Sequence, residues 1–251
     1  MTLNWFCRGW GAPMFEELAY KNTDLGRLSL RRRRDLLLGG VEVFEVKLGD
    51  EFLMSSLFHE AEVELAHLGL AASPGDDDLN VMVGGLGLGY TAAAALQDPR
   101  LKGLWIVESM AEVIRWHRES LVPLGASLKD DERVTFVRDD FFKLADADTG
   151  FAVENAPAKF DTILLDIDHS PSHFLDPAHS RFYTVDGLKK LTRHLKPGGV
   201  FAMWSNDPPE AQFSSLLDEV FAESEAKIVQ FDNPYQKRKA SATIYISTYG
   251  P

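Results

Sequence analysis

Two patterns of hydrophobic and polar residues divide the chain. Residues 26–55 contain short apolar–polar alternations interrupted by Gly39-Gly40 and Gly49-Asp50, which are typical of turns between antiparallel strands. The following apolar residues recur at helical spacing: Leu57, Ala61, Leu65 and Leu68. This spacing indicates one amphipathic helix. The pattern therefore predicts a small N-terminal β element closed by a helix, over residues 1–72.

A polar linker, 73–78, precedes a regular alternation of strands and helices. The predicted strands are 79–83, 104–107, 134–137, 161–165 and 200–204, and the predicted helices lie within 91–96, 111–118 and 185–194. Continuous apolar strands suit a parallel sheet that is buried on both faces. Two more strands, 227–231 and 242–248, follow a helix that opens at Pro208-Pro209 and should pair antiparallel around a loop at 232–241. Residues 73–251 thus predict a doubly wound, seven-stranded, mainly parallel Rossmann-like α/β sheet with an antiparallel C-terminal edge strand.

The charge and the cysteine content exclude several classes of protein. A net charge of −12 and a pI near 5.0 disfavour nucleic acid as a partner, because phosphate binding needs a concentrated basic face. The basic block Arg31–Arg34 is interpreted as a solvated strand face. A single cysteine, Cys7, excludes an intrachain disulfide. The sequence shows no 18-residue apolar run and no leader, so we expect a cytoplasmic protein without a membrane partner.

Glycines cluster directly after the first strand of the predicted sheet. They are Gly84, Gly85, Gly87 and Gly89. Ligands of such sheets bind at the carboxyl ends of the strands, where glycine allows close approach of the backbone and a helix N-terminus offers free N–H groups. We therefore expect these glycines to contact a ligand.

Acidic residues follow the next three strands at the same predicted edge. Glu108 ends the second strand, where a carboxylate can bind ribose hydroxyls. Asp139 and Asp140 end the third strand and can accept the exocyclic amino group of adenine. Asp166 and Asp168 end the fourth strand. The G-x-G-x-x-G series of NAD proteins is not met, and acids attract a sulfonium cation. The pattern therefore predicts an adenosyl ligand that carries a sulfonium.

Alkyl transfer from a sulfonium to an amine needs a base, because the amine must first lose a proton. Asp166 is the predicted base, assisted by Asp168 or His169. Residues 169–183 form a long loop with three histidines, but their spacing fits no common metal site, and no metal is expected. Four aromatic residues are candidates for the substrate pocket: Phe174, Tyr183, Trp204 and Tyr235. The first three could instead pack within the protein.

Five motifs occur in the order and spacing of the spermidine synthase group of S-adenosylmethionine-type transferases, which the chain resembles. They are "VGGLGLGYT", "IVESMAEVIRWH", "VRDDFFKL", "FDTILLDIDHSP" and "LKPGGVFAMWS". The resemblance implies that Glu108 holds the ribose, Asp139 the adenine, and Asp166 the sulfonium and the acceptor amine. His59, in "Phe58-His59-Glu60", resembles a histidine that contacts the cofactor or the substrate in that group.

Two positions depart from the pattern of that group. Leu88 stands where spermidine synthases carry an aspartate in the glycine loop, and His169 stands at the second acid of their Asp-x-x-Asp motif. Three functions stay open. The first is aminopropyl transfer from decarboxylated S-adenosylmethionine to a small amine, in polyamine metabolism. The second is methyl transfer from S-adenosylmethionine to a small molecule, and the third is non-catalytic binding of an adenosyl ligand. A homodimer is also expected.

Overall fold

The computed structural model describes residues 14–23, 26–151, 153 and 155–250, so Cys7 lies outside the described residues. The chain folds into two compact units, residues 1–57 and 58–251. The first unit is a four-stranded antiparallel sheet of β1 (Phe15–Thr23), β2 (Gly26–Asp35), β3 (Val41–Leu48) and β4 (Glu51–Ser55), in that order. The strands β2 to β4 agree with the prediction, and β1 was not predicted.

The arginine block lies on β2 and is paired with acids of its own sheet. Arg32 lies 2.6 Å from Glu16 on β1, and Arg33 lies 2.6 Å from Asp35 and 2.7 Å from Glu45. These pairs offset the positive charges of Arg32 and Arg33 within the sheet. This part of the block therefore lies on a strand face and is paired with acids, whereas the sequence predicted a solvated face.

The second unit is the predicted seven-stranded sheet. Its strands are β5 (Leu79–Gly84), β6 (Leu101–Val107), β7 (Val134–Val137), β8 (Phe160–Leu165), β9 (Leu195–Ser205), β10 (Glu223–Asn233) and β11 (Arg238–Thr248). Their order is β10-β11-β9-β8-β5-β6-β7. Strands β5 to β9 pair in parallel, whereas β11 pairs antiparallel with β9 and with β10. The doubly wound fold class is confirmed. The predicted 232–241 loop is shorter, because both edge strands extend into it.

Seven helices connect these strands in the described part of the second unit. They are α1 (Glu60–Ala72), α2 (Tyr90–Ala95), α3 (Ala111–Arg118), α4 (Gly125–Lys129), α5 (Phe141–Asp146), α6 (Val185–Thr192) and α7 (Ala211–Val220). A 3₁₀ segment, Pro177–Arg181, lies inside the predicted 169–183 loop. None of the helices in the described ranges is long and apolar enough to span a bilayer.

The predicted domain boundary at 72/73 is wrong, because α1 belongs to the second unit. Gly69 of α1 lies so close to the sheet that an added Cβ would come within 2.6 Å of Leu164 on β8 and 3.2 Å of Ala202 on β9. A helix packed this closely on two central strands is part of their core. The turn-rich linker 73–78 therefore connects α1 to β5 inside one unit instead of separating two domains.

Candidate active site

The glycine loop between β5 and α2 adopts backbone conformations that favour glycine. Gly85, Gly87 and Gly89 have φ values of 96°, 47° and 92°, in the left-handed region where a side chain costs energy. A Cβ on Gly84 would come within 2.6 Å of Phe141, and one on Gly85 would overlap the Asp166 carbonyl oxygen. The predicted ligand contact is therefore not the main reason for these two glycines. They allow the loop to pack against its own protein.

Glu108 and His117 hold the glycine loop in place through hydrogen bonds to its backbone. The Glu108 carboxylate is 7% exposed and accepts hydrogen bonds from the main-chain N–H groups of Leu86 (3.2 Å) and Met110 (2.8 Å). Burial raises the pKa of Glu108, and these hydrogen bonds oppose the rise. The carboxylate lies at the carboxyl end of β6, as predicted, and its ribose contact stays a prediction.

His117 of α3 was not predicted as part of the site. Its Nε2 lies 2.9 Å from the Gly87 carbonyl oxygen, which can only accept, so Nε2 carries the proton and donates. The side chain is fully buried, and burial lowers the pKa of His117 to about 4. The imidazole is therefore neutral near pH 7 and holds the Gly87 peptide in place. Its i+4 spacing from the buried Val113 was the available signal in the sequence.

Asp166 lies directly beyond the carboxyl end of β8 and faces the start of α2. Its Oδ2 accepts a hydrogen bond of 2.9 Å from the Thr91 hydroxyl, and its main-chain N–H donates to the Gly84 carbonyl oxygen at 2.8 Å. Burial raises the pKa of Asp166 to about 6, although the bond from Thr91 lowers it. A carboxylate with such a pKa can exchange a proton near neutral pH.

Glu62 of α1 interacts with Asp166 and was missed by sequence reasoning. Burial, and after it the negative charge of Asp166, raises the pKa of Glu62 to about 8. Glu62 lies seven, four and three residues before the buried Gly69, Ala66 and Leu65, so it belongs to the sheet-facing stripe of the helix. An acid in an apolar stripe was the signal that could have revealed it.

Asp168 has different surroundings from Asp166. It is 3% exposed, and its carboxylate lies within hydrogen-bond distance of Leu175 N (2.8 Å), His179 Nδ1 (2.8 Å) and Tyr183 Oη (2.9 Å). All three partners belong to the loop that follows β8. Asp168 therefore anchors this loop, which differs from the catalytic role predicted for it.

Tyr183 and Phe174 lie in the same anchored loop. Tyr183 is 8% exposed and belongs to the main hydrophobic core, and Phe174 stacks on it with ring centroids 5.1 Å apart. The pocket role predicted for Tyr183 does not fit this burial. Of the two interpretations that the sequence left open, packing against the protein describes Tyr183.

The two acids after β7 also differ in their surroundings. Asp140 is the N-cap of α5 and accepts hydrogen bonds from Phe142 N (3.0 Å) and Lys143 N (3.2 Å), so its position has a structural reason. Asp139 is exposed and accepts from Asp140 N at 2.8 Å. Between the two, Asp139 is the candidate for the adenine contact.

Aromatic contacts bring the start of α1 to the glycine loop. The rings of His59 and Tyr90 stack at 4.1 Å, and Tyr90 directly follows Gly89. Phe58 packs edge-on against Tyr235 at 6.1 Å, so the turn between β10 and β11 reaches the same end of the helix. The structure thus gathers the predicted residues His59 and Tyr235 near the N-terminus of α1.

Trp204 and His169 complete the predicted set. Trp204 lies two residues after Ala202 on β9 and therefore on the same face, towards α1. Its Nε1–H is buried and has no hydrogen-bond acceptor among the described residues, so it is a donor to which a ligand can bind. His169 accepts a hydrogen bond from Asn206 N at its carbonyl oxygen, and its ring lies 5.1 Å from that of His173.

The strand order and the antiparallel edge of the sheet define a Rossmann-like fold, and solved structures of S-adenosylmethionine-type transferases share this fold. The spermidine synthase of Thermotoga maritima has a TM-score of 0.69 at 18% identity, over 93% of this chain and 73% of that chain. The N-methyltransferase NodS of Bradyrhizobium japonicum WM9, solved with S-adenosyl-L-homocysteine, has a TM-score of 0.53 at 14% identity, over 77% of this chain and 87% of that chain.

One curated protein is also similar to the chain in sequence. The polyamine aminopropyltransferase of Bacillus mycoides (strain KBAB4) is 28% identical over 174 residues, which are 69% of this chain and 54% of that protein. The chain thus spans about half the length of this curated relative. No family model matches the chain. The resemblance stated from the motifs is confirmed as a similarity: the chain is similar in sequence to a polyamine aminopropyltransferase and has the fold of the spermidine synthases.

Proposed function

We propose that the protein is an alkyl-group transferase that moves an aminopropyl group from decarboxylated S-adenosylmethionine to a small amine. Asp166 is the observation that carries the proposal. It is a half-buried carboxylate beside the glycine loop, and its raised pKa suits a group that accepts a proton from an ammonium. The similarity to a polyamine aminopropyltransferase supports the same reaction.

The residues at this edge fit an adenosyl sulfonium. The glycine loop can approach a ligand at Gly87, the carboxylates of Asp166 and Glu62 complement a positive charge, and the Nε1–H of Trp204 needs an acceptor. The proposed contacts are Glu108 for the ribose and Asp139 for the adenine. When bound, the sulfonium would supply an electrophilic carbon and a neutral thioether as leaving group.

In this proposal the protein binds and orients the two reactants, and it removes a proton from the acceptor amine. Asp166 accepts a proton from the acceptor's ammonium, because only the neutral amine has a lone pair for attack. Thr91 and the Gly84 carbonyl oxygen fix Asp166 through its side chain and its main chain, respectively. Holding the nucleophile in line with the carbon then supplies most of the acceleration.

Methyl transfer from S-adenosylmethionine is the second candidate, and Leu88 favours it. Leu88 is 2% exposed and provides no charge for the ammonium of an aminopropyl group at the position where spermidine synthases have an aspartate. A methyl donor has no aminopropyl ammonium, so binding of its sulfonium would need only the acids that are present. The cytoplasmic location, the homodimer and the absence of a nucleic-acid partner stay predictions.

Titration calorimetry with three ligands tests the proposal. Decarboxylated S-adenosylmethionine should bind at least about tenfold more tightly than S-adenosylmethionine, a difference of about 1.4 kcal/mol. The reverse preference would favour the methyltransferase. Equal binding of methylthioadenosine, together with no transfer to any amine of a panel, would favour the non-catalytic function. No binding of any of the three would overturn the proposal.

A further inference from the structure

We infer that Glu62 is a second acidic residue of the reaction site, and that it shares with Asp166 the proton removed from the acceptor amine. This inference rests on the proposed function and extends it to a residue on a helix that precedes the Rossmann-like sheet. The carboxyl pair, defined as Glu62 and Asp166, is the unit that we expect to act.

The packing of α1 places Glu62 at the correct edge of the sheet. Gly69 lies over Leu164, next to the last residue of β8, and over Ala202 on β9. Glu62 precedes Gly69 by seven residues, which is two helical turns or about 10 Å along the helix, on the same face. Asp166 follows Leu164 by two residues, about 7 Å along the strand.

The direction of α1 is fixed at both ends. At its C-terminus, the Leu70 and Ser73 carbonyl oxygens accept hydrogen bonds from the Arg100 guanidinium at 2.7 and 3.3 Å, and Arg100 precedes β6 at the amino edge of the sheet. At its N-terminus, His59 stacks on Tyr90 beside the glycine loop. The helix therefore runs antiparallel to β8, and Glu62 points to the carboxyl edge, where Asp166 lies.

The surroundings of the pair contain little that would neutralise it. Glu60, on the same helix, adds negative charge, and Thr91 is the polar neighbour of Asp166 on α2, which otherwise has only Tyr90 and alanines. The elements packed on α1 carry these charged residues: Asp161 on β8, Lys196 on β9, Glu223, Glu225, Lys227 and Asp232 on β10, and Arg238 and Lys239 on β11. Asp161 and Lys196 pair with each other at 2.8 Å, at the amino edge.

Two carboxyl groups in such a place cannot both be charged at little cost, so they hold a proton between them in the free protein. A bound sulfonium or ammonium offsets their repulsion and favours release of that proton. The pair can then take the proton of the amine: the N–H bond breaks, its electron pair stays on nitrogen, and an O–H bond forms on the carboxylate. The pair then holds one proton again, as in the free protein, and the proton that the ligand displaced has gone to solvent.

The pair also restores charge that the motifs lack. Leu88 and His169 replace two acids of the spermidine synthase pattern, and Glu62 supplies one acid from a different element. Since the pair consists of two carboxyl groups rather than a row of acids, it suits an acceptor with one ammonium near the reacting nitrogen. This is the class of substrate that we expect.

Counting protons on ligand binding tests the inference. S-adenosylmethionine is titrated at pH 7 in two buffers of different ionisation enthalpy, with neutral methylthioadenosine as the uncharged comparison. The parent should release up to about one proton with the sulfonium and fewer with the thioether. Glu62→Gln should release almost none. The control Glu64→Gln removes the same charge from the same helix, where Glu64 pairs with exposed His67 at 3.5 Å, and should behave like the parent.

The pH dependence of turnover separates a chemical role from a structural one. The pair loses its last proton at the raised pKa of Glu62, and Glu62→Gln leaves Asp166 alone with its lower pKa. The acid limb of kcat/KM should therefore shift to lower pH, and the plateau should fall about tenfold or more. Glu62→Asp should keep the parental limb. If Glu62→Gln binds the sulfonium with the proton count and the pH limb of the parent, this inference is overturned and the proposed function stands. If the parent binds no sulfonium ligand, both fail.

Discussion

Asp166 and Asp168 stand two residues apart after the same strand, yet their surroundings differ in kind. Asp168 is 3% exposed and meets three partners from the following loop. Asp166 is half-buried, accepts a hydrogen bond from Thr91, and interacts with a second acid, Glu62. One carboxylate is satisfied by the protein, whereas the other is held in a position that costs energy.

This difference separates stability from function. A buried charge with several hydrogen-bond donors contributes to a fixed structure, because removing it leaves those donors unpaired. A carboxyl whose pKa is raised by burial, and which lies next to a second acid, has an ionised form that the folded protein alone does not stabilise. Such a group gains most when a cation binds. Asp166 is therefore placed to bind a ligand, whereas Asp168 holds the loop.

The largest expected effect is on turnover, at Asp166. Asp166→Asn keeps the size of the side chain and can still bond to Thr91, but it cannot take a proton. We expect kcat to fall about 100- to 10,000-fold, or about 3–5 kcal/mol, with the affinity for the sulfonium ligand changed several-fold at most. The loss should shrink at high pH, where the amine deprotonates without help. Transfer of a labelled alkyl group to a small amine measures it.

Asp161→Asn is the matched control for that measurement. Asp161 lies on the same strand at the opposite edge of the sheet, where it pairs with Lys196, so its removal should leave turnover near that of the parent. Parental turnover in Asp166→Asn would contradict the assignment of the base and direct attention to His169.

The next effect is on stability, at Asp168. Asp168→Ala removes the acceptor for Leu175 N–H and Tyr183 O–H inside the protein, and we expect the free energy of unfolding to fall by about 2–4 kcal/mol. Urea denaturation followed by circular dichroism measures it. Asp186→Ala is the control, since Asp186 is exposed on α6 and pairs with Lys190 at 3.3 Å. If both variants lose less than about 0.5 kcal/mol, Asp168 is not a structural anchor.

The sequence could predict the sheet because its signals are local. Continuous apolar strands, glycines after β5 and acids after β6, β7 and β8 occupy positions that parallel strands bring to one edge. The functional difference between Asp166 and Asp168 was not predictable in the same way. It depends on which residues meet them from elsewhere: Thr91 and Glu62 for the one, and the loop up to Tyr183 for the other.

The placement of α1 shows where sequence reasoning failed. The turn-rich segment 73–78 resembles a domain linker, and it led to a boundary at 72/73. Only the close packing of Gly69 on β8 and β9 assigns the helix to the sheet. With the helix assigned to the wrong unit, Glu62 had no reason to be considered near Asp166. The same error thus hid one boundary and one candidate site residue.

The smallest expected effect has the sign opposite to that at Asp168. Folding raises the pKa of Glu62 above its ordinary value, so the folded protein binds more protons than the unfolded chain between about pH 4.5 and 8. The free energy of unfolding then falls as pH rises through this window. Glu62→Gln removes the penalty, and it should be more stable than the parent at pH 8 by about 1–2 kcal/mol, with the gap closing towards pH 5. Urea denaturation of Glu62→Gln and Glu64→Gln at the two pH values measures the difference.

An equal gap at both pH values would mean that the Gln side chain merely packs better, and a loss at pH 8 would mean that Glu62 is held by favourable contacts. A gap that appears only at pH 8, in the one variant, would show that the protein retains Glu62 at a cost to its stability, as expected of a residue that serves a bound cation.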